Sequence, residues 1–289
     1  MQPVFIGGLG RSGTTLLADV MGFHPELSPV YETAFVVKLI RLLSYPAPYH
    51  QVCHDVRALM DTWTKHLPHR PDNKREYERY AHGAHHVLFS REYAMHRTQQ
   101  LLAEIAADPV VAVRGFVLDL FREHANIDGK PGWVSKVPAY LQHAPVLRLL
   151  FPELVMVHIV RDVRDVVAST LTRSWGPRTA RVGAQHWVAG LQSARAFSQR
   201  YPGQLVEVRY EDLLREPEGT LRTVFSGIGL ELPSDLVARY AAAADGFQPS
   251  RIGAGRRDLS SEDLRTVAEV AGPTLEAWGY PTSDLLTAA

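Results

Sequence analysis

Cysteine is almost missing from this sequence: Cys53 is the only one in 289 residues. No disulfide can form within the chain, which fits a reducing compartment. A lone cysteine is usually a small buried hydrophobe, and nothing around Cys53 marks it as a nucleophile. Net charge is missing as well, since 31 Lys+Arg face 31 Asp+Glu. An overall field that would draw in nucleic acid or an anionic membrane is therefore excluded, and any basic function must be local. No apolar run approaches membrane-spanning length, and Met-Gln-Pro leads straight into an apolar segment without a basic leader. The expectation is a soluble, cytoplasmic protein that binds neither nucleic acid nor membrane.

With 46% hydrophobic residues, the chain can bury a sizeable core. Pro3 to Ile6 reads as a buried strand ending at glycines. Leu16 to Met21 then reads as a helix closed by Gly22 and Pro25. The runs 154–160 and 205–208 read as further buried strands, followed by helices over about 163–174 and 216–227. Strands alternating with helices at this spacing predict an α/β fold with a mostly parallel sheet and right-handed crossovers. From about Thr33 to His124 the sequence reads mostly as helix, broken at Tyr45-Pro-Ala-Pro48 and Leu67-Pro-His-Arg-Pro71. This stretch is expected to be a helical insertion over one end of the sheet, about residues 40–130. A last helix is expected from Ser260, with Asp263 completing a capping-box-like start, to Gly272-Pro273. No repeat or linker interrupts the chain, so residues 1–289 are expected to form one domain.

The run Gly8-Leu9-Gly10-Arg11-Ser12-Gly13-Thr14-Thr15 satisfies two patterns at once. As G-x-G-x-x-G after a strand it mimics a dinucleotide-binding fingerprint. As G-x-x-x-x-G followed by Thr14-Thr15 it has the frame of a P-loop with threonine in place of lysine. Both readings share their physics: glycines let backbone N–H groups converge on an anion, and a helix start adds its positive end. An ATPase of this frame would need the missing lysine and a carboxylate for Mg²⁺. A dinucleotide site would need a ribose-binding acid at the end of a second strand, and Leu27-Ser-Pro-Val-Tyr-Glu32 reads as a poor strand. The cation of this loop is Arg11. A second charged turn, Val160-Arg161-Asp162, opens a helix on which Asp165, Ser169 and Arg173 follow at intervals of four.

The stretch Phe5–Leu17 with its Arg-Ser-Gly-Thr-Thr-Leu-Leu core, followed by His24-Pro25-Glu26, resembles the 5′-phosphosulfate loop of PAPS-dependent sulfotransferases. It is most similar to the branch of the tyrosylprotein sulfotransferases and their bacterial relatives. The resemblance implies a three-layer P-loop-like fold with a helical insertion. It implies PAPS as co-substrate, PAP as product and no metal requirement. Gly10, Arg11, Ser12, Gly13, Thr14 and Thr15 would then hold the phosphosulfate end. Arg161 and Ser169 match the 3′-phosphate motif, with Arg173 as a third contact. Tyr210, in Tyr-Glu-Asp-Leu, would lie near the nucleotide. Ser250-Arg-Ile-Gly-Ala-Gly-Arg-Arg257 is similar to the basic closing loop, with Arg251 and Arg256 as its working arginines. It departs from the usual version in carrying Ala254-Gly255. By the same resemblance Lys136 would reach the sulfuryl group alongside Arg11, and Glu32 would be the catalytic base.

The implied activity is sulfuryl transfer to an acceptor hydroxyl, preferably of a small molecule, and a homo-oligomer stays open. The rivals are a P-loop kinase or hydrolase using Arg11 for lysine, and an inactive nucleotide-binding module. His82, His85 and His86 could share a helix face with a metal, but no matched cysteine or carboxylate set accompanies them.

Overall fold

The computed structural model describes residues 1–43, 47–65, 67, 87–243 and 247–282. Five strands hydrogen-bond in the order β2-β3-β1-β4-β5, from β1 (Val4–Gly8), β2 (Leu27–Tyr31), β3 (Gly132–Lys136), β4 (Val155–Val160) and β5 (Leu205–Arg209). The pairs β1–β3, β2–β3 and β4–β5 are parallel, and the α/β class expected from the alternating pattern holds. After β1 the chain adds β2 and β3 on one side and β4 and β5 on the other. The carboxyl end of β1, where the glycine-rich loop departs, is thus the topological switch point at which α/β sheets place ligands.

By contacts the chain divides into two compact units. The first comprises Met1–Ile6 and Ala18–Val155. Its register sets both Ile6 and Tyr31 opposite Lys136, so these three residues stand level, with Tyr31 and Lys136 closing their strands. Phe5 on β1 packs against Trp133 at 5.4 Å, Tyr140 at 5.1 Å and Phe151 at 5.3 Å between ring centres. Around this core lie α1 (Thr14–Gly22), shared with the second unit, α2 (Phe35–Leu43), α3 (Tyr49–Thr64), α4 (Arg91–Glu104), α5 (Pro109–Ile127) and α6 (Ala144–Leu150). The described part of the middle is helical, as read from the sequence.

One reading of this unit is corrected. Leu27–Tyr31 is a strand despite Pro29. It pairs with β3 alone at the sheet's edge, where a missing N–H breaks no ladder. Its outer side is satisfied by neighbours on and after α5. His124 bridges the Leu88 amide and the Pro29 carbonyl at 3.0 Å each, and Asp128 accepts from the Ser28 hydroxyl at 2.7 Å.

The second unit comprises Gly7–Leu17 and Met156–Ala289. It holds β4 and β5 with α7 (Val163–Leu171), α8 (Ala180–Arg200), α9 (Tyr210–Arg215), α10 (Pro217–Gly227), α11 (Leu236–Ala243), α12 (Gly255–Asp258) and α13 (Ser261–Ala277). Its core joins Val163, Val167, Trp187, Leu191, Val267 and Leu275. The expected start of the last helix is found, with Ser260 Oγ accepting the Asp263 amide. Its expected end is not: the helix runs through Pro273 to Ala277, carried by burial of Ala271 and Leu275 on its inner face.

Candidate active site

Within the second unit the loop 8–13 is shaped by two left-handed residues. Gly13 has φ +96°, and an added Cβ would lie 2.4 Å from Cδ2 of Tyr210, so only glycine fits. Arg11 has φ 73° without being glycine, a conformation that stores strain. The Ser12 amide closes the loop on the Leu9 carbonyl at 3.1 Å, and the Gly13 carbonyl accepts from Leu17 inside α1 at 3.0 Å.

Arg11 donates from Nε to the Ser169 hydroxyl at 2.9 Å, which ties the loop directly to α7. Its pKa lies below the ordinary arginine range, first because burial disfavours the charge, then because Arg173, Arg161 and Arg251 repel it. Four arginines therefore share one locality in a chain with no net charge. Like charges gather against their own repulsion where an anion is to be held.

Arg161 holds this locality together. Its guanidinium donates to Asp165 from Nη2 at 3.0 Å and from Nε at 3.3 Å. It also donates to the Arg11 carbonyl at 3.3 Å and the Arg251 carbonyl at 2.8 Å. Its Cζ lies 4.3 Å from the centre of the buried Tyr210 ring. Asp165 is buried and also accepts the amides of Gly253 at 3.0 Å and Gly255 at 2.7 Å. An added Cβ on Gly255 would sit 2.2 Å from the Arg164 carbonyl, so the Ala254-Gly255 departure in the basic loop lets it seat on the start of α7. The strand-end turn is fixed from both sides. Trp187 Nε1 donates to the Arg161 carbonyl at 2.9 Å, and Glu211 accepts the Asp162 amide at 3.0 Å.

The first unit carries the other expected residues. Lys136, at the end of β3, is buried to 1% exposure, which excludes a strand-end surface lysine. Its Nζ pairs with Glu32 and lies 5.6 Å from the Tyr31 ring centre. The Tyr31 hydroxyl donates to Asp19 on α1, a carboxyl whose pKa is raised by burial and held back by Tyr31 and Lys136. Glu32 has φ 51°, held by its amide bond to the Lys136 carbonyl at 2.9 Å. Arg11 and Glu32 are the non-glycine residues with left-handed backbones among the described residues. Both carried a catalytic expectation.

Of the sequence candidates, Gly10, Arg11, Ser12 and Gly13 fall on the loop and Thr14 and Thr15 in the first turn of α1. Arg161 lies in the turn before α7, Ser169 in the last turn of α7, Tyr210 at the start of α9 and Arg251 on the closing loop. Arg173 is not the third residue of a helix face, since α7 stops at Leu171. The chain folds back so tightly that a Cβ on Gly176 would meet the Thr170 carbonyl at 1.9 Å. Arg173 acts on Arg11 from that turn. Arg256 is exposed on the short α12. His24 accepts the Glu26 amide in the turn after α1. His82, His85 and His86 lie outside the described residues. Sequence reasoning missed Asp165 as the organiser of the closing loop, and missed Trp175, exposed and packed at the Gly10 edge of the loop.

Residues 3–234 match the profile of the sulfotransferase family. The chain is 22% identical to a putative protein-tyrosine sulfotransferase of Caenorhabditis briggsae, over 98% of this chain and 90% of that protein. It is 23% identical to the omega-hydroxy-beta-dihydromenaquinone-9 sulfotransferase Stf3 of Mycobacterium bovis, over 96% and 75%. An uncharacterised Aquifex aeolicus protein is 26% identical over 83% of this chain, which spans 27% of that protein's length. Among solved structures, the sulfotransferase domain of the Synechococcus PCC 7002 olefin synthase superposes with a TM-score of 0.60 at 18% identity, covering 97% of this chain and 95% of that one. The sulfotransferase domain from the curacin biosynthetic pathway gives 0.57 at 16%, covering 97% and 98%. No helix among the described residues is long and apolar enough to cross a membrane. The chain belongs to the sulfotransferase family, whose enzymes draw on PAPS as the sulfuryl donor.

Proposed function

We propose that this chain transfers the sulfuryl group of PAPS to a hydroxyl of a small-molecule acceptor, with Glu32 as the base. The observation that carries the reading is the cluster of Arg11, Arg161, Arg173 and Arg251 around the Gly8–Thr15 loop, with Ser169 bonded to Arg11. This donor set fits a ligand with phosphoryl groups at two positions. Loop amides and the hydroxyls of Ser12, Thr14 and Thr15 suit the phosphosulfate end, with Gly10 and Gly13 giving the backbone room to approach. Arg161, Ser169 and Arg173 suit the 3′-phosphate, with Tyr210 stacked behind Arg161. Arg251 is preferred to Arg256 as the closing arginine, because its carbonyl is tied to Arg161 and its charge bears on Arg11.

PAPS supplies a sulfuryl group on a phosphate leaving group: the acceptor oxygen bonds to sulfur, the bond to the 5′-phosphate oxygen breaks, and PAP departs with the electron pair. The chain's residues align the acceptor and stabilise the spreading charge. Glu32 receives the acceptor proton, and its ion pair with the buried Lys136 fixes where the carboxylate sits. Lys136 is assigned the positive charge at the sulfuryl group, as the resemblance of its segment to the family implies. A relative named for a menaquinone acceptor supports the small-molecule preference.

The test is PAP release from PAPS without added metal, across a panel of small alcohols and phenols and a tyrosine peptide. Release accelerated by a small hydroxyl compound supports the reading. Acceleration by the tyrosine peptide alone moves the acceptor to protein. Hydrolysis of ATP with none of PAPS would overturn the whole reading.

A further inference from the structure

Among the buried hydroxyl side chains of the first unit, three with 0% exposure meet one another: Thr33, Ser135 and Tyr140. They close a triangle, with Thr33 Oγ1 to Ser135 Oγ at 3.0 Å, Thr33 Oγ1 to Tyr140 Oη at 2.9 Å, and Ser135 Oγ to Tyr140 Oη at 3.2 Å. The Tyr140 hydroxyl also reaches the Thr33 carbonyl at 3.3 Å. Packing does not require these groups. Tyr140 stands edge-on to Phe5 at 5.1 Å, and phenylalanine, valine and alanine would fill the same space without buried polar atoms.

What the triangle does is visible in its neighbours. Thr33 follows Glu32, and Ser135 precedes Lys136. The cluster therefore fastens the residue after the left-handed Glu32 to the residue before its ion-pair partner. Glu32 holds φ 51° without a glycine's freedom, which persists only where the surroundings enforce it. Burial, aided by the Glu32 charge, pushes the Tyr140 phenol far above its ordinary range, so it stays protonated at any working pH. We infer that Thr33, Ser135 and Tyr140 are positioning residues, a hydroxyl clamp that holds the backbone of Glu32 in its strained conformation and so aims its carboxylate. The catalytic half of this inference rests on the reading of Glu32 as base; the conformational half does not.

The experiment has two readouts on Tyr140→Phe, with Ser135→Ala taking its place if that variant fails to fold. The first is hydrogen exchange without ligand. The Glu32 amide should exchange roughly tenfold faster, with α5 and the loop 9–13 unchanged, because a local clamp frees only a local segment. The second is turnover of PAPS, read as PAP release with 4-methylphenol as acceptor or, where that phenol is refused, with water. Turnover should fall about tenfold with PAP affinity kept, since a base displaced by a fraction of an ångström loses alignment and not binding. In a Glu32→Gln background Tyr140→Phe should cause no further loss, because a clamp acting through Glu32 has nothing left to aim. Unchanged exchange at Glu32, or the same loss in both backgrounds, would overturn the clamp. Full turnover in Glu32→Gln itself would overturn the base reading instead, and the exchange result would still decide the conformational half.

Discussion

Lys136 and Glu32 form an ion pair of unequal partners, the lysine side chain 1% exposed and the glutamate 26%. The buried cation cannot leave its strand end, whereas the carboxylate has one flank open. Under the proposed function, that flank is where an acceptor hydroxyl approaches Glu32. Glu32→Gln, which keeps a hydrogen-bond acceptor for Lys136, should spare PAP affinity and lower turnover by roughly 10²–10⁴. Equilibrium binding and single-turnover kinetics separate the two effects; normal turnover would place the base elsewhere.

Arg161 touches the phosphate loop, the start of α7 and the closing loop through four hydrogen bonds. Arg161→Ala should do more than weaken PAP binding. It leaves Asp165 buried beside an empty space, which costs about 3–5 kcal/mol when a buried pair loses one partner. Arg161→Lys should rescue little, since an ammonium cannot serve Asp165 and two carbonyls in the guanidinium plane. Denaturant unfolding and PAP titration together check this; unchanged PAP affinity in both variants would remove Arg161 from the 3′-phosphate site.

Gly13→Ala combines a left-handed backbone with a clash against Tyr210. The strain is on the order of 1–3 kcal/mol, and the loop can relieve it only by moving its amides. PAP affinity should fall by more than about tenfold. The double variant Gly13→Ala with Tyr210→Ala should recover stability in part, because it removes the clash but not the strain.

Asp19 and Glu211 are carboxyls whose pKa is raised by burial. The folded state therefore holds these protons more tightly than the unfolded chain does. Their contribution to stability is present below the ordinary carboxylate range and is lost as pH rises through the raised values. Asp19→Asn mimics the protonated form. Its stability relative to the parent should rise from pH 4 to pH 7, as measured by urea unfolding across that range. A difference that shrinks with pH would contradict the assignment for Asp19.

Much of this was legible in the sequence where local chemistry dictates local structure. The Gly8–Thr15 loop could be read because few residue sets let a strand end turn left-handed and open a helix. The β4 turn could be read because Arg161-Asp162 follows a fully apolar run. β2 was misread because a central strand would not tolerate Pro29, and only the sheet order reveals that this strand lies at the edge. Burial of Lys136 and the convergence of Asp165 with Gly253 and Gly255 are contacts between segments 88 to 104 residues apart, with no local signature. The left-handed backbone of Glu32 is likewise invisible in its own triplet, since its amide is held by the distant Lys136 carbonyl.

The most direct test is ligand stabilisation, since what binds the native state raises its melting temperature, the more so the tighter it binds at a given concentration. PAP, AMP, ADP, ATP with Mg²⁺ and NAD are compared at equal concentration, with PAP also measured in the presence of EDTA. PAP should raise the melting temperature most, by the same amount with or without EDTA, and AMP should do little for want of a second phosphate. Equal or greater stabilisation by ATP with Mg²⁺ would contradict a PAPS site built on Arg11, Arg161 and Ser169.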